Sequence, residues 1–281
     1  MELIPVDNLL TIFNNLHIND IINISKVNKY FRNIIKENTE YINIFVEIID
    51  DNSYLNNIID IFPNIKLSYD LNNTNIDLLK KNKNNIYKLN ISYTNIPDAI
   101  LNDIYFNNLN ILILTYCKYI DGLLLNNINL NNILLLDLSG TNVADDNLIN
   151  INLNNIKELY LTDCYNITGS FLKDKILTSL KILCLSNTNV SDYSLKNINF
   201  KNIDILYLCF NIITNETINS KILCNIKYLD LSYCHYITDI SNLHNIETLI
   251  IVECSNITSE SINIASKNNS NIINCWYSHY N

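Results

Sequence analysis

The stretch IKYLDLSYCHYIT at 226–238 constrains this chain more than any other, because its apolar pattern returns along most of the sequence. Ile226, Leu229, Leu231 and Ile237, with Cys234 between the last two, recur at intervals of roughly twenty to twenty-six residues. The copies begin with YDLNNTNI (69–76), LNISYTNI (89–96), LILTYCKYI (112–120), LDLSGTNV (136–143) and LYLTDCYNI (159–167). They continue with LCLSNTNV (183–190), LYLCFNII (206–213), LDLSYCHYI (229–237) and LIIVECSNI (249–257). In each copy two apolar residues alternate, as Leu229 and Leu231 do. A short strand supplies that period of two, sending both into a core and the residue between them outward.

Between the copies, DDNLININLNN (145–155) and SDYSLKNINFKN (191–202) place Leu or Ile at three- and four-residue spacings. Each follows an Asp or Ser able to cap, which predicts short helices or irregular turns on the convex side. A unit of this kind cannot bury its apolar face alone, so neighbours must stack into a curved solenoid with a parallel sheet on its concave face. Where the chain leaves each strand the sequence wants a small residue, either to bond local backbone or to fill a tight corner. One set of copies has Cys117, Cys164, Cys234 and Cys254 there, another has Thr74, Thr94, Thr141 and Thr188, and one has Asn211. Cysteine at this position reads as a packing residue. The copies in which Cys is followed by xxIT or xxID resemble the cysteine-containing class of leucine-rich repeat. The resemblance implies an α/β leucine-rich-repeat horseshoe over 41–281, in a class whose sheet typically sits on a substrate-recognition subunit.

Residues 3–35 break the repeat and read as two or three short helices. Pro5 suits a first helical turn, while Leu9, Leu10, Ile12, Phe13 and Leu16 spread apolar side chains over more than half the circumference. A second segment opens at Asn19-Asp20, where either residue can cap, and Phe31, Ile34 and Ile35 supply a third apolar set. So much apolar surface on a small module needs a partner. The stretch resembles an F-box, whose pattern reads Leu-Pro-x-Glu, two aliphatics, Ile-Phe, Leu, Asp-Leu, then Val-Cys-Lys-x-Trp-Arg-x-Leu. Ile4-Pro5 stands for the Leu-Pro and Asp7 for the Glu, followed by Leu9 and Leu10, Ile12-Phe13, Leu16 and Asp20-Ile21. The last element is Val27-Asn28-Lys29-Tyr30-Phe31-Arg32-Asn33-Ile34, with Asn28 where the family has Cys and Phe31 where it has Trp. The resemblance covers about the first forty residues. It implies docking on the Skp adaptor of a cullin–RING ubiquitin ligase through Ile4, Pro5, Leu9, Leu10, Ile12, Phe13, Leu16, Val27 and Phe31. The alternative is a helical cap sealing the end of an interaction scaffold, since terminal repeats require capping.

Around the array, YINIFVEI (41–48) alternates like a strand, and Val46 lies one repeat length before Tyr69, which predicts a first, degenerate repeat. SYLNNIIDIFPNI (53–65) predicts a helix that Pro63 ends or interrupts. The join offers no flexible linker in its sequence. At the other end NIINCWYSHYN (271–281) puts Ile272, Cys275 and Tyr277 in strand register, with Trp276 and Tyr280 at the edge.

Composition narrows the function. The chain has 281 residues, 17% of them charged, with a net charge of -9, so no basic field draws nucleic acid or acidic lipid. Asn and Ile are over-used, a bias that AT-rich coding produces in some protists and large DNA viruses. The opening MELIPVDNLL lacks the basic start and apolar core of a secretory signal, and no stretch approaches a membrane span, so the expected compartment is cytoplasmic or nuclear, the host's if the source is viral. Eight cysteines form no CxxC pair, and the repeat cysteines are expected to be reduced and buried. No phosphate loop, zinc-ligand spacing or nucleophile elbow is present. His17, His235, His244 and His279 are scattered, so neither metal nor cofactor is expected, and Cys184 and Cys209 lack the basic neighbour that a reactive thiol requires.

The concave sheet remains as the working surface. Its outward positions are Asn90, Ile113, Asp137, Tyr160, Cys184, Tyr207, Asp230 and Ile250, with Ile111, Leu135, Glu158, Ile182, Ile205, Tyr228 and Thr248 in the row beside. Aliphatics and tyrosines grouped on one face suit protein binding. The target-binding candidates are Ile113, Tyr160, Ile182, Tyr207, Tyr228, Ile250 and Trp276. Tyr116, Tyr119, Tyr165, Tyr233 and Tyr236 crowd the adjoining loops and offer the loop edge as a competing surface. The expected function is recognition without catalysis.

Overall fold

The computed structural model of the protein describes residues 5–16, 18–38, 45–48, 66–70, 76–126 and 130–274. The alternating pairs form short strands: β1 (Phe45–Ile48), β2 (Lys66–Asp70), β3 (Ile86–Asn90), β4 (Ile111–Ile113), β5 (Leu135–Asp137) and β6 (Glu158–Tyr160). Then come β7 (Ile182–Cys184), β8 (Ile205–Tyr207), β9 (Tyr228–Asp230), β10 (Thr248–Ile250) and β11 (Ile272–Ile273). They make one parallel sheet in sequence order. The expected solenoid with its N-terminal helical module is the observed fold.

Register explains why strands of three residues suffice. Leu89, Leu112, Leu136, Leu159, Leu183, Leu206, Leu229 and Leu249 are successive partners in one column, and each is at most 1% exposed. Two residues on, Ile91, Leu114, Leu138, Leu161, Leu185, Leu208, Leu231 and Ile251 form a second buried column. Full burial of one such side chain contributes about 1.5–3 kcal/mol, so the columns outweigh the few ladder hydrogen bonds each strand contributes. The convex side is short helices, as expected: α4 (Ile76–Asn82), α5 (Asp98–Leu101), α6 (Asp145–Leu148), α7 (Asp192–Leu195), α8 (Asn215–Asn219) and the longer α9 (Ser259–Asn268). Among the described residues no helix is long and apolar enough to cross a membrane.

Three helices precede the sheet: α1 (Val6–Phe13), α2 (Ile18–Val27) and α3 (Lys29–Glu37). Pro5 stands just before the first turn of α1 rather than inside it, its carbonyl accepting from Asn8 and Leu9 N–H. Helix α2 begins at Ile18, so Asn19 and Asp20 lie within its first turn and are not its cap; Asp20 there complements the helix dipole. Asn28 caps α3 by accepting the Tyr30 N–H at 2.8 Å, and Arg32 Nε donates to the Ser25 carbonyl at 2.7 Å near the end of α2.

Two expectations about the join change. Strand β1 exists and pairs with β2, but its partner for Tyr69 is Ile48, while Val46 meets Leu67, two residues from the predicted register. The irregularity between Leu67 and Ser68 where β2 meets β3 belongs to the same segment, whose spacing departs from the later repeats. The helix expected at 53–65, together with Ile4, Thr74, Cys275, Trp276 and Tyr277, lies outside the described residues.

The corner cysteines do more than fill space. Cys117, Cys164, Cys234 and Cys254 donate their S–H to carbonyls of the preceding repeat, those of Ile91, Leu138, Leu208 and Leu231, at 3.0–3.2 Å. Burial holds these thiols above their ordinary pKa, so they keep the proton they donate. Thr94, Thr141 and Thr188 instead bond the carbonyl three residues back in their own repeat, at 2.6–2.7 Å. Asn211 does both, reaching Leu185 O at 2.8 Å and Leu208 O at 3.0 Å. Each choice satisfies carbonyls that the corner leaves without a ladder partner.

A polar ladder joins the repeats near the helix starts. Asp145 accepts from Thr168 and Phe171 N–H, and Asp192 from Thr214 and Thr217 N–H, so these acids tie the next repeat rather than cap their own helix. Asn215 accepts from Thr238 and Asp239 N–H at 2.9 and 3.2 Å. In the first of these repeats Asp98 accepts from Asp121, Gly122 and Leu124 N–H. Burial, and then the Asp121 carboxyl beside it, push Asp98 up to about 6.

The folded state therefore holds the Asp98 proton more tightly than the unfolded chain does. Stability from this group falls as pH climbs from about 4 toward 6 and stays level above. Asp98→Asn removes the titrating carboxyl, so the variant should lose the fall in stability, about 1 kcal/mol or more, that the parent shows between pH 4.5 and pH 7.5. Thermal melts of both proteins at the two pH values read the difference.

Candidate functional site

Because strand period forces every second residue outward, the concave face can be read column by column. Asn90, Ile113, Asp137, Tyr160, Cys184, Tyr207, Asp230 and Ile250 are register partners across β3 to β10, as expected from the sequence. Ile111, Leu135, Glu158, Ile182, Ile205, Tyr228 and Thr248 form the adjoining column. The candidates Ile113, Tyr160, Ile182, Tyr207, Tyr228 and Ile250 are thus brought onto one surface, each half-buried. Trp276 lies outside the described residues.

The tyrosines are held in place. Tyr160 donates its hydroxyl to Glu158 at 2.9 Å, and the Tyr207 and Tyr228 rings sit 5.3 Å apart, tilted by 52°. Burial raises the pKa of all three phenols, and for Tyr160 the Glu158 carboxylate adds to it, so all are neutral at physiological pH. Cys184 lies low between Tyr160 and Tyr207, 6% exposed, with its sulfur 2.9 Å from Thr162 Oγ1. Burial pushes Cys209 up to about 12, which leaves it a thiol rather than a nucleophilic thiolate at neutral pH.

Acidic groups on this face are bonded by neutral donors. Asp137 accepts from Ser139 N–H and Thr115 Oγ1, at 2.9 and 3.0 Å. Asp230 accepts from Ser232 N–H and Oγ, at 2.9 and 2.6 Å. Asp163 accepts from the Tyr116 hydroxyl and, at 2.6 Å, from Asn187 Nδ2.

Beyond the sheet runs a rim, of which the sequence reading marked Tyr116 and Tyr233 as part of a loop edge but not the shared backbone conformation. Tyr93, Tyr116, Gly140, Asp163, Asn187, Phe210, Tyr233 and Glu253 occupy one position in successive repeats and all have φ between 51° and 66°. Side chains rarely accept that conformation. It is held here because the N–H of each residue from Tyr93 to Tyr233 donates to a carbonyl of the next repeat, as Tyr93 does to Thr115 and Phe210 to Ser232. The rim rings stack in pairs, Tyr93 on Tyr116 at 5.3 Å and Phe210 on Tyr233 at 4.2 Å. Gly140 is glycine for a local reason: a Cβ there would come within 2.4 Å of the Tyr116 ring. The only signal in the sequence was an aromatic at the same offset in four copies.

In the helical module the candidates divide. Leu9 and Phe13 are 3% and 2% exposed and belong to the core, with Phe13 meeting Phe31 edge to face at 6.3 Å. Both are buried within the chain itself, Phe13 on the side of α1 that meets α3. Pro5 and Ile12 are exposed, Ile12 by 48%, while Leu10, Leu16 and Phe31 are half-buried. Val27 ends α2.

Residues 1–43 match the family model of the F-box domain. Among solved structures, the chain is similar to one in the crystal structure of the Rad7 and Elc1 complex in yeast. The TM-score is 0.54 at 17% sequence identity, over 82% of this chain and 75% of that one. No curated protein matches the chain.

Phe13→Ala empties a fully packed site between α1 and α3 and should cost about 3–5 kcal/mol locally. Hydrogen exchange should show the α1–α3 amides losing protection while those of β5–β9 keep theirs.

Proposed function

We propose that this F-box and repeat-solenoid chain is the substrate-recognition subunit of an SCF-type cullin–RING ubiquitin ligase. Residues 1–40 dock on an Skp-type adaptor, and residues 41–281 hold a target protein on the concave sheet. The observation that carries the reading is an F-box on the same chain as a half-buried aliphatic and aromatic sheet face. The similar yeast fold was solved in a complex of two proteins, which is in keeping with a chain that works through a bound partner. No bond is made or broken by this chain in the proposed role. Its contribution is proximity, converting an encounter between target and ligase into a positioned one.

Burial divides the labour within the helices. Leu9 and Phe13 keep the helices in place, while Pro5, Leu10, Ile12, Leu16 and Phe31, with Ile4 and Val27, offer the contact to the adaptor. On the sheet Ile113, Tyr160, Ile182, Tyr207, Tyr228 and Ile250 contact the target, with Trp276 at the array's end. Aromatic anchors of this kind carry a large share of interface energy.

Ile12 is the residue to test, because it is exposed and its replacement spares the core. Ile12→Asp should weaken capture of a purified Skp-type adaptor by about 2–4 kcal/mol, with an unchanged circular dichroism spectrum. A folded wild-type chain that captures no adaptor would reduce the helices to a cap and the protein to an interaction scaffold.

A further inference from the structure

Across β5 to β9 the central column reads Asp137, Tyr160, Cys184, Tyr207, Asp230: two tyrosines either side of a small buried residue, and a carboxylate beyond each. With strands about 4.8 Å apart, the backbones that carry the two tyrosines are about 10 Å from one another. Only the small side chain of Cys184, 6% exposed, lies between them in the column. Glu158 adds a third carboxylate beside Tyr160, and Asp163 a fourth at the rim.

No lysine, arginine or histidine stands in the concave columns or on the rim from β4 to β9. Asp137, Glu158, Asp163 and Asp230 receive hydrogen bonds from hydroxyls, an amide, the Cys209 thiol and backbone N–H groups, all neutral donors that orient each carboxylate without neutralising it. Of the nearby lysines, Lys181 and Lys227 lie before the strands and pair with Asp204 at 3.2 and 3.3 Å, while Lys88 heads the adjoining column on β3 and Lys118 stands beside Tyr93 and Tyr116. The face is therefore negative and aromatic together. Ring faces attract cations as carboxylates do, and a half-buried position strengthens both effects.

We infer that the concave face between β5 and β9 takes an extended, basic segment of its target protein, with a lysine or arginine side chain seated over Cys184 between Tyr160 and Tyr207 and flanked by Asp137 and Asp230. This deepens the reading of the sheet as the target site and rests on it. Complementary charge also speeds encounter and rejects acidic segments.

The test is fluorescence anisotropy of the full chain with a labelled twelve-residue Arg/Ser/Gly peptide, and with the same peptide carrying Glu in place of Arg. The arginine peptide should bind, less tightly as salt rises, and the glutamate peptide should not. The double variant Asp137→Asn, Asp230→Asn should weaken binding roughly tenfold, and Tyr207→Leu, which keeps charge and bulk, roughly threefold. The convex control Asp146→Asn, Asp174→Asn removes the same charge from exposed positions and should change binding less than about twofold.

An equal loss in the convex control would make the attraction a property of net charge and overturn the inference. So would comparable binding of the glutamate peptide, or no binding of the arginine peptide by the folded chain. Adaptor capture by the same preparations separates the two readings. A chain that captures adaptor but not the arginine peptide keeps its docking function and loses this assignment. One that binds the peptide at the concave residues without capturing adaptor keeps this assignment and loses the ligase reading.

Discussion

Every repeat in this protein is completed by its neighbour. The two inward columns are flanked on each side by the corresponding leucines and isoleucines of the adjoining strands. The rim N–H groups find their acceptors in the next repeat, and the corner thiols find theirs in the one before. A repeat taken alone would expose its leucines and orphan several buried polar groups, each costing about 1–3 kcal/mol. Stability is accordingly a sum over neighbouring interfaces. That is why sequence variation is tolerated at the corner, where Cys, Thr and Asn satisfy the same set of carbonyls by different routes.

This division of labour leaves the outward positions of the strands without a structural task. Ile113, Tyr160, Ile182, Tyr207, Tyr228 and Ile250 contribute little to the core, yet they are not the polar residues that water alone would favour. The acids among them are oriented by local donors that leave their charge intact. Preorganised groups of this kind lose little freedom on binding, so more of the contact energy appears as affinity.

The columns of the sheet were legible to the residue because strand period and repeat period are both rigid: once Leu229 is inward, Asp230 must be outward and aligned with Tyr207. The join was less legible. Val46 was placed against Tyr69 by counting one repeat length, but spacing near β2 and β3 departs from the later copies, and β1 settled two residues away. In the helices the family pattern named Leu9, Phe13 and Ile12 alike, since a pattern records which residues recur and not which face they occupy. The left-handed backbone of the rim and the aspartate ladder escaped notice for a different reason. A left-handed residue is usually announced by glycine or asparagine, and here tyrosine or phenylalanine takes the position in four repeats because a cross-repeat hydrogen bond and ring stacking hold it there. Asp145 looked like a cap for its own helix, whereas Ser191 does stand at the N-cap expected of it, and only the stacked neighbour reveals which N–H groups Asp145 and Asp192 serve.

The same interlocking bears on how the chain can act by proximity. A recognition subunit is useful only if its bound target keeps a defined position, and loosely connected modules lose that advantage as the number of accessible arrangements grows. Within the array, moving β7 relative to β8 would break ladder bonds, the rim bond from Asn187 to Cys209, the bond from Asn211 to Leu185 and the shared leucine columns at once. These sit within a few ångströms of Tyr160, Cys184 and Tyr207. The residues that satisfy the buried backbone therefore also fix the spacing of the concave side chains, and the concave face inherits its rigidity from the corner bonds beneath it.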